Sequence, residues 1–594
     1  MCGVFLFTKN NNLNINSKVF LENLKHRGPD FQKIYRDNDV EIGHTLLSIR
    51  DTIDKSIQPV ITENGRYIIS FNGQIYNIKE IKKKFDLPKE ILLDTTIISI
   101  LCNKLGIKFI NEIDGMFALI IYDKIDKKII SIRDNTGQKP LYYFFDKKNF
   151  ILSSEINPIL KSIKKNVEVD LDFNEHLRFI CSIGEKTVYK NIFKCLPGQK
   201  IEFDLKTNNL SKSFFNHNLV KKEAKLENLL SQTIQNHLQT NQKIIINLSG
   251  GIDSNIILHE SLKSKKIEAL STRFETNEDK YNEDFFIAKK ICKDNDVKFY
   301  ENFVSKKDYI DNFVKTYEAI EDINGNINNP AYFLTYKFIK QNNFRTVLSG
   351  DGGDEIFVGY PFFFLNNFKL FKYFPFVKKI FYDNSKFLRS KFFFRGQFGK
   401  FDSLTIFKNY FNKEVKVNKY FYINKFSEYL EEFKKINFRD QNNSLEISNL
   451  LHMQFFWMSD EIFNRVDKLA MHHSIEARAP FADYNLRVNT MNKLTKKNFY
   501  TKDNKMIVRN IYKNKLEPNV FKAKTGWTAP REWILDKRLL EIILDIMPNK
   551  EIYNIKWDKI RNDLFKNNNL MMNRSLYPII SLAIILNKNN LFKS

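Results

Sequence analysis

Residues 243–254 read K-I-I-I-N-L-S-G-G-I-D-S, and the fold of the larger part of the chain turns on them. A β-branched run of this kind reads as a buried strand, and the apolar recurrence over 252–262 reads as a helix that starts directly after Gly250 and Gly251. Small residues between a strand and a helix let backbone N–H groups and the helix N-terminus hold an anion. A phosphate therefore fits at Ser249, Gly250, Gly251, Asp253 and Ser254. No lysine follows the glycines, so this is not the G-x-x-x-x-G-K-[ST] loop of P-loop kinases. Two glycines in a tight turn are also compatible with a purely structural role; Asp253 and the two serines favour a nucleotide pyrophosphate with bound magnesium.

Outward from this stretch, 224–238 carries apolar residues at helical intervals (Leu226, Leu229, Leu230, Ile234, Leu238). A second apolar strand at 345–348 opens into S-G-D-G-G-D-E at 349–355. Three acids among three glycines repel one another unless a cation shares their charge, and a magnesium-bound ATP facing Asp253 supplies one. Two strands whose carboxyl ends open into polar, glycine-containing loops place a ligand site at the edge of a doubly wound sheet. The Phe-, Lys- and Asn-rich stretch 362–443 reads as a helical insertion.

Before residue 215 the rhythm is different. Short apolar runs at 4–7, 67–71, 117–122, 128–132, 141–145 and 150–153 alternate with turn signals, which is the pattern of a sheet-rich domain. The polar stretch 211–220 reads as a linker, so the expected domains are 1–215 and 216–594. Cys2 follows the initiator methionine. Removal of Met1 leaves a thiol and a free amine on one residue, and an amine of ordinary pKa near 8 can serve as base for its own side chain. Asn72 and Gly73, in F-N-G-Q-I-Y-N at 71–77, offer an amide side chain and a glycine N–H for an oxyanion hole.

The bulk properties set bounds on these readings. The chain of 594 residues is too long for one core and, at 43% apolar, can bury two. Its 5 cysteines have no C-x-x-C spacing, which favours a reducing compartment, and no secretory signal precedes them; the expectation is a cytoplasmic protein. The apolar stretch 576–586 is too short to span a bilayer. The net charge of +25 comes from lysines spread along the chain with no recognition motif, so a solvated basic surface is expected rather than a nucleic-acid partner.

Together these motifs resemble the glutamine-hydrolysing asparagine synthetases, in the right order over nearly the whole chain. The series runs through M-C-G at 1–3, H-R-G-P-D at 26–30, F-N-G at 71–73, R-D-x-x-G-x-K-P-L-Y at 133–142, S-S-E at 153–155 and L-P-G at 196–198. It continues with L-S-G-G-I-D-S, L-S-G-D-G-G-D-E-I-F, V-D-K-L-A-M-H-H-S-I-E-A-R-A-P-F-A-D at 466–483 and K-T-G-W at 524–527. The resemblance implies an N-terminal-nucleophile αββα sandwich (a class II glutamine amidotransferase domain), an ATP-pyrophosphatase domain of doubly wound parallel sheet, and an ammonia channel between them. It implies Cys2 as nucleophile, Asn72 and Gly73 as oxyanion donors, and Asp94 as holder of the donor's α-amino group. On the ATP side it implies pyrophosphate on 249–254, magnesium on Asp253 and Asp354, and ATP on Ser349 and Gly350 beside Thr272. Asp351 falls at the position tied to the acyl-adenylate, and Lys524 neutralises phosphate charge.

The reaction so implied takes glutamine or ammonia, aspartate and ATP, and releases AMP and pyrophosphate. Another carboxylate such as a sugar acid remains an alternative acceptor, and a homodimer an open option. A non-catalytic nucleotide-binding homologue is disfavoured by the intact Asp253, Asp351, Asp354 and Lys524. Two positions depart from the family pattern: Leu46 stands where an arginine is expected to hold glutamine's α-carboxylate, and Gln74 where a glutamate is expected to face its ammonium. Arg50 lies four residues on, about 13 Å along an extended strand, and is expected to be too far to substitute. Weak glutamine use is the expectation that follows.

Overall fold

The computed structural model describes residues 2–9, 13–50, 52–88, 93–163, 167–170, 180–215, 225–360, 409–410, 450, 453–500, 504–522 and 527–593. In the N-terminal region the strands are β1 (Cys2–Thr8), β2 (Phe31–Arg36), β3 (Val40–Leu46), β4 (Val60–Ile61), β5 (Tyr67–Ile75), β6 (Gly115–Asp123) and β7 (Lys128–Arg133). They continue with β8 (Tyr142–Phe145), β9 (Phe150–Ser153), β10 (Ile192–Lys194), β11 (Gln199–Asp204) and β12 (Asn209–Phe214). They form two antiparallel sheets, in the orders β10-β8-β9-β1-β3-β2 and β12-β11-β7-β6-β5-β4.

Strand periodicity sends alternate side chains to opposite faces. Val4 and Leu6 of β1 meet Ile68, Ala118, Ile120 and Tyr122 between the two sheets. Phe5 and Phe7 point the other way, onto Phe20 and Leu24 of the helix Ser17–Leu24 and onto the helix Ile156–Ile163. On the far side, Ile69, Phe71 and Ile75 pack against the helices Ile78–Phe85 and Asp94–Leu105. The result is the αββα sandwich.

The second sheet system is parallel throughout, with β13 (Ile244–Asn247), β14 (Glu268–Phe274), β15 (Lys298–Val304), β16 (Thr346–Leu348) and β17 (Glu476–Arg478) in the order β15-β14-β13-β16-β17. Ile244 and Ile246 join a core with the helices Leu226–His237 and Ile252–Leu262, while Ile245 faces the helices Asn329–Gln341 and Asn464–His472. Helices therefore cover both faces, as a doubly wound sheet requires. The chain order reverses between β13 and β16, which opens a crevice where the loops 249–254 and 349–354 emerge.

One reading is corrected. Residues 211–214, expected in a linker, belong to β12, which pairs with β11 from Gln199↔Phe214 to Asp204↔Asn209. Their polarity is that of a solvent-facing edge strand, where charged and hydroxyl side chains discourage further pairing. The rest of that stretch, and the insertion expected at 362–443 apart from residues 409–410, lie outside the described residues. Among the described residues no helix is long and apolar enough to cross a membrane. The apolar 576–586 stretch lies in the buried helix Tyr577–Lys588, in the same cluster as Phe5 and Ile156.

That cluster joins the sandwich to the parallel-sheet region, and a carboxylate secures the joint. Glu321 accepts from the backbone N–H groups of Ile156 (2.8 Å) and Asn157 (3.1 Å), capping a helix of the sandwich, and pairs with Lys468 at 2.8 Å. Lys468 is fully buried. Removing the charge in Glu321→Gln leaves that ammonium uncompensated, so the unfolding free energy should fall by about 3 kcal/mol. Urea titration followed by tryptophan fluorescence measures it, since Trp457, Trp527, Trp533 and Trp557 all lie beyond the sandwich. A loss under about 1 kcal/mol would contradict the role given to this contact.

Candidate active sites

Cys2 begins β1 and is buried directly across from Leu46 of β3. Its backbone nitrogen donates to Asn72 Oδ1 at 2.9 Å. Asn72 is itself fully buried, and its Nδ2 has no hydrogen-bond partner among the described residues, so one amide donor is left for a ligand beside the thiol. Gly73 is required by close packing: a Cβ there would lie 2.1 Å from the Met116 carbonyl oxygen of β6. Burial pushes the Cys2 thiol up from its ordinary value, partly opposed by a hydrogen bond from the Leu47 backbone. The thiol therefore needs a local base to become a nucleophile.

Arg27, of the H-R-G-P-D motif, received no role from the sequence. Its guanidinium is buried and reaches three partners: the Cys2 carbonyl (Nε, 3.2 Å), Glu155 (Nη1, 3.0 Å) and Asp467 of the parallel-sheet region (Nη2, 2.7 Å). Lys139 adds a second cation to Asp467 at 3.3 Å. The motif marked the residue; only the fold brings its partners, at positions 2, 155 and 467, to one point.

Asp94 opens the helix Asp94–Leu105, and its Oδ1 accepts from the Ile75 backbone at 2.9 Å. The reading of Arg50 is overturned here. Arg50 Nη1 donates to the same Asp94 Oδ1 at 2.7 Å, and its Nη2 reaches the Ile75 carbonyl at 3.2 Å. The distance argument assumed that the strand continues, but β3 ends at Leu46 and 47–50 leave the extended line, which returns Arg50 to the pocket. Gln74 is buried as well, with Nε2 3.4 Å from the Gln239 carbonyl and no partner for Oε1 among the described residues.

At the other site the loops after β13 and β16 interlock. Ser249 N and Gly251 N are held by the Ser254 and Ser249 hydroxyls at 3.0 and 3.2 Å, so the turn is preformed. Gly350 and Gly353 pack on Asp253; a Cβ would come within 2.9 Å of its Cβ and 2.6 Å of its Cγ, respectively. Gly352 has φ +89°, a conformation suited to glycine. Ser349 Oγ donates to Asp351 Oδ2 at 2.7 Å. Thr272, at the end of β14, is tied to Asn302 (2.9 Å) and Thr335 (3.2 Å).

Asp253 and Asp354 meet on one cation, the ammonium of Lys505, which bonds Asp253 and lies 2.6 Å from Asp354 Oδ1. Burial lowers the Lys505 pKa, but the two carboxylates outweigh it and leave the group raised. Nothing in the sequence singled out Lys505; it precedes the helix Met506–Tyr512 with no motif around it. Lys524 lies outside the described residues. A further buried cation, Arg465, stacks over Tyr332 at 4.3 Å, bonds Glu461 at 3.2 Å, and feels the charge of Asp351. Its Nη1 has no partner among the described residues. Arg465 and Asp467 share the helix Asn464–His472, so one helix touches both sites.

Comparisons with known proteins find matches for both parts of the chain. Residues 1–215 match the family "Glutamine amidotransferase domain" and 225–568 the family "Asparagine synthase". A putative asparagine synthetase [glutamine-hydrolyzing] 2 of Methanocaldococcus jannaschii is 32% identical over 402 residues, covering 62% of this chain and 75% of the relative. Asparagine synthetase [glutamine-hydrolyzing] 1 of Bacillus subtilis is 24% identical over 542 residues, 86% and 83% of the two chains. Among solved structures, a glutamine phosphoribosylpyrophosphate amidotransferase from B. subtilis aligns with TM-score 0.27 and 12% identity, over 51% of this chain and 66% of that one.

The strand β3, opposite Cys2, carries a pH signature of its own. His44 on β3 pairs with Val4, lies 3.3 Å from the Phe71 carbonyl, and is buried, which pushes its pKa down to about 3. A histidine depressed below its unfolded value near 6.5 stabilises the fold fully above that pH, and the contribution is lost as pH falls from 6.5 toward 3. His44→Gln should flatten the loss of stability between pH 6.5 and 5 by up to about 1.4 kcal/mol per pH unit. Urea midpoints over that range measure it, and parallel slopes for the two proteins would contradict the assignment.

Proposed function

Because the chain belongs to the asparagine synthase family, we propose that it is an ATP-dependent, glutamine-hydrolysing ligase that amidates aspartate. The two domains, divided near 215/216, share the work. A carboxylate is a poor electrophile. ATP converts it to an acyl-adenylate as pyrophosphate leaves, and ammonia then displaces AMP. The observation that carries this reading is the convergence of Asp253 and Asp354 on one cation in the crevice at the switch of strand order, with Arg465 Nη1 unpartnered among the described residues and its guanidinium in the field of Asp351.

Each residue has a part that its surroundings support. The preformed 249–254 turn presents N–H groups and a helix N-terminus to the pyrophosphate. Ser349, Gly350 and Thr272 border the nucleotide, and Lys524 neutralises phosphate charge. Asp253 and Asp354 fit a magnesium ion: two carboxylates already share a cation, and Mg²⁺ is characteristically held by one or two carboxylates with phosphate and water completing its shell. When bound it supplies charge neutralisation to the departing pyrophosphate. Asp351 and Arg465 orient the acceptor, the guanidinium offering Nη1 to a carboxylate.

In the sandwich, loss of Met1 frees the Cys2 amine, whose lone pair takes the thiol proton. The thiolate attacks the glutamine amide carbon, Asn72 Nδ2 and the Gly73 N–H receive the developing oxyanion, and ammonia leaves. The aspartate specificity, the AMP and pyrophosphate products, the magnesium and the residue roles are all parts of this proposal.

Two measurements test it. Acceptor-dependent release of AMP and pyrophosphate is expected with aspartate, and Cys2→Ala should abolish glutamine-driven synthesis while ammonium still supports it. ADP as product, or loss of both activities in Cys2→Ala, would overturn the two-site reading. Lys505→Met should lower ATP turnover at least about a hundredfold, because it leaves buried Asp253 and partly exposed Asp354 facing each other without the cation they share. Turnover within a fewfold of the parent would remove Lys505 from the site.

A further inference from the structure

Three buried polar atoms on or beside the C-terminal half of β5 have no partner among the described residues: Asn72 Nδ2, Gln74 Oε1 and Arg50 Nε. Their order is donor, acceptor, donor. Asn72 and Gln74 share one face of β5 and lie about 7 Å apart along the strand, roughly the span of a glutamine side chain. Arg50 is anchored at the end of that strand by the Ile75 carbonyl. Buried polar groups in folded proteins are normally satisfied, so three unspent ones in sequence call for a ligand.

The ligand they describe is an amino acid carrying a side-chain amide. Its amide oxygen meets Asn72, its α-ammonium meets Gln74 Oε1 and Asp94, and its α-carboxylate meets Arg50. We propose that Arg50 is the specificity-determining residue for the donor's α-carboxylate, a role that rests on the glutamine-hydrolysing reading above. Asp94 accepts from Arg50 and Ile75 at a single oxygen, Oδ1, which leaves the other edge of its carboxylate toward the ammonium. A guanidinium has five donor hydrogens, and Arg50 Nε is available to a carboxylate while Nη1 keeps Asp94. Ammonium and carboxylate of a free amino acid thus find their counter-charges already side by side.

The clamp is held from the other domain. Gln239 accepts from Arg50 Nη2 through its side chain and from Gln74 Nε2 through its backbone, both at 3.4 Å. Thr240 and Asn241 bond the carbonyls of Ile49 and Arg50 at 2.9 and 2.6 Å. These contacts hold 49–50 against β5 although β3 has ended. They also explain how an arginine outside the strand can serve a pocket that has Leu46 where the strand itself could have offered one.

The test pairs a protein change with a ligand change on the full chain. Hydrolysis is measured as glutamate released from glutamine and as glutamate α-methyl ester released from glutamine α-methyl ester, a compound that keeps the amide and ammonium but lacks the carboxylate charge. The parent protein should use the ester with a KM about 10- to 100-fold higher than glutamine, the loss expected of one charge-assisted contact. In Arg50→Ala the KM for glutamine should rise by the same factor and the preference over the ester should vanish, while Arg50→Lys keeps part of it. Equal rises for both compounds would make Arg50 a merely structural residue, and a fall in KM would make it a lock on Asp94; either overturns the proposal. If the parent releases no glutamate, or Cys2→Ala releases as much, the glutamine-hydrolysing reading fails instead.

Discussion

A single buried guanidinium holds the two halves of this protein in register. Arg27 is surrounded by protein and must satisfy its charge entirely with protein groups. It does so with Glu155 from its own sandwich, Asp467 from the parallel-sheet region and the carbonyl of Cys2. Desolvating such a group is costly unless every partner is present, so the arrangement is close to all-or-none. If the halves separate, Asp467 loses both of its cations, Lys139 loses its carboxylate, and Arg27 is left with Glu155 alone. The backbone of Cys2 is thereby tied to the helix Asn464–His472, which also carries Arg465.

The second site follows from topology. In an open parallel sheet the strand ends diverge where the order reverses, and backbone groups there have no ladder to enter. The loops at 249–254 and 349–354 fill that gap with glycines that let Asp253 approach their backbone closely. The price is a crowd of carboxylates. Lys505 meets it from a segment more than 150 residues beyond the second loop, holding Asp253 and Asp354 together. An ammonium at that point shows that the electrostatics of the crevice favour a cation, which is the condition a nucleotide-bound metal needs.

Near Cys2 a positive charge enters from outside the strand. Leu46 packs opposite Cys2 as an apolar side chain, and the positive charge comes from Arg50, after the strand has ended and under a loop of the other domain. The surroundings of the thiol and the contact with residues 239–241 therefore share residues. Gln239 touches both Arg50 and the departing position Gln74.

The sequence by itself determined the local elements and their chemistry. The alternation of 4–7, 67–71 and 117–122 specified strands with two faces, K-I-I-I-N-L-S-G-G-I-D-S specified a strand, turn and helix, and Cys2, Asn72, Asp253 and Asp351 were legible because their neighbours repeat a known pattern. Such signals are short-range: periodicity and turn chemistry act within a few residues. The edge strand β12 escaped for the same reason, since a solvent-facing strand has no apolar alternation to betray it. Only the tertiary structure decided which distant charges meet. Arg27 with Asp467, Lys505 with Asp253 and Arg50 with Asp94 are separated by 440, 252 and 44 positions. A cation's partner is chosen by burial and by where the backbone returns, and a linear count of residues, correct for an extended strand, fails once the strand has ended.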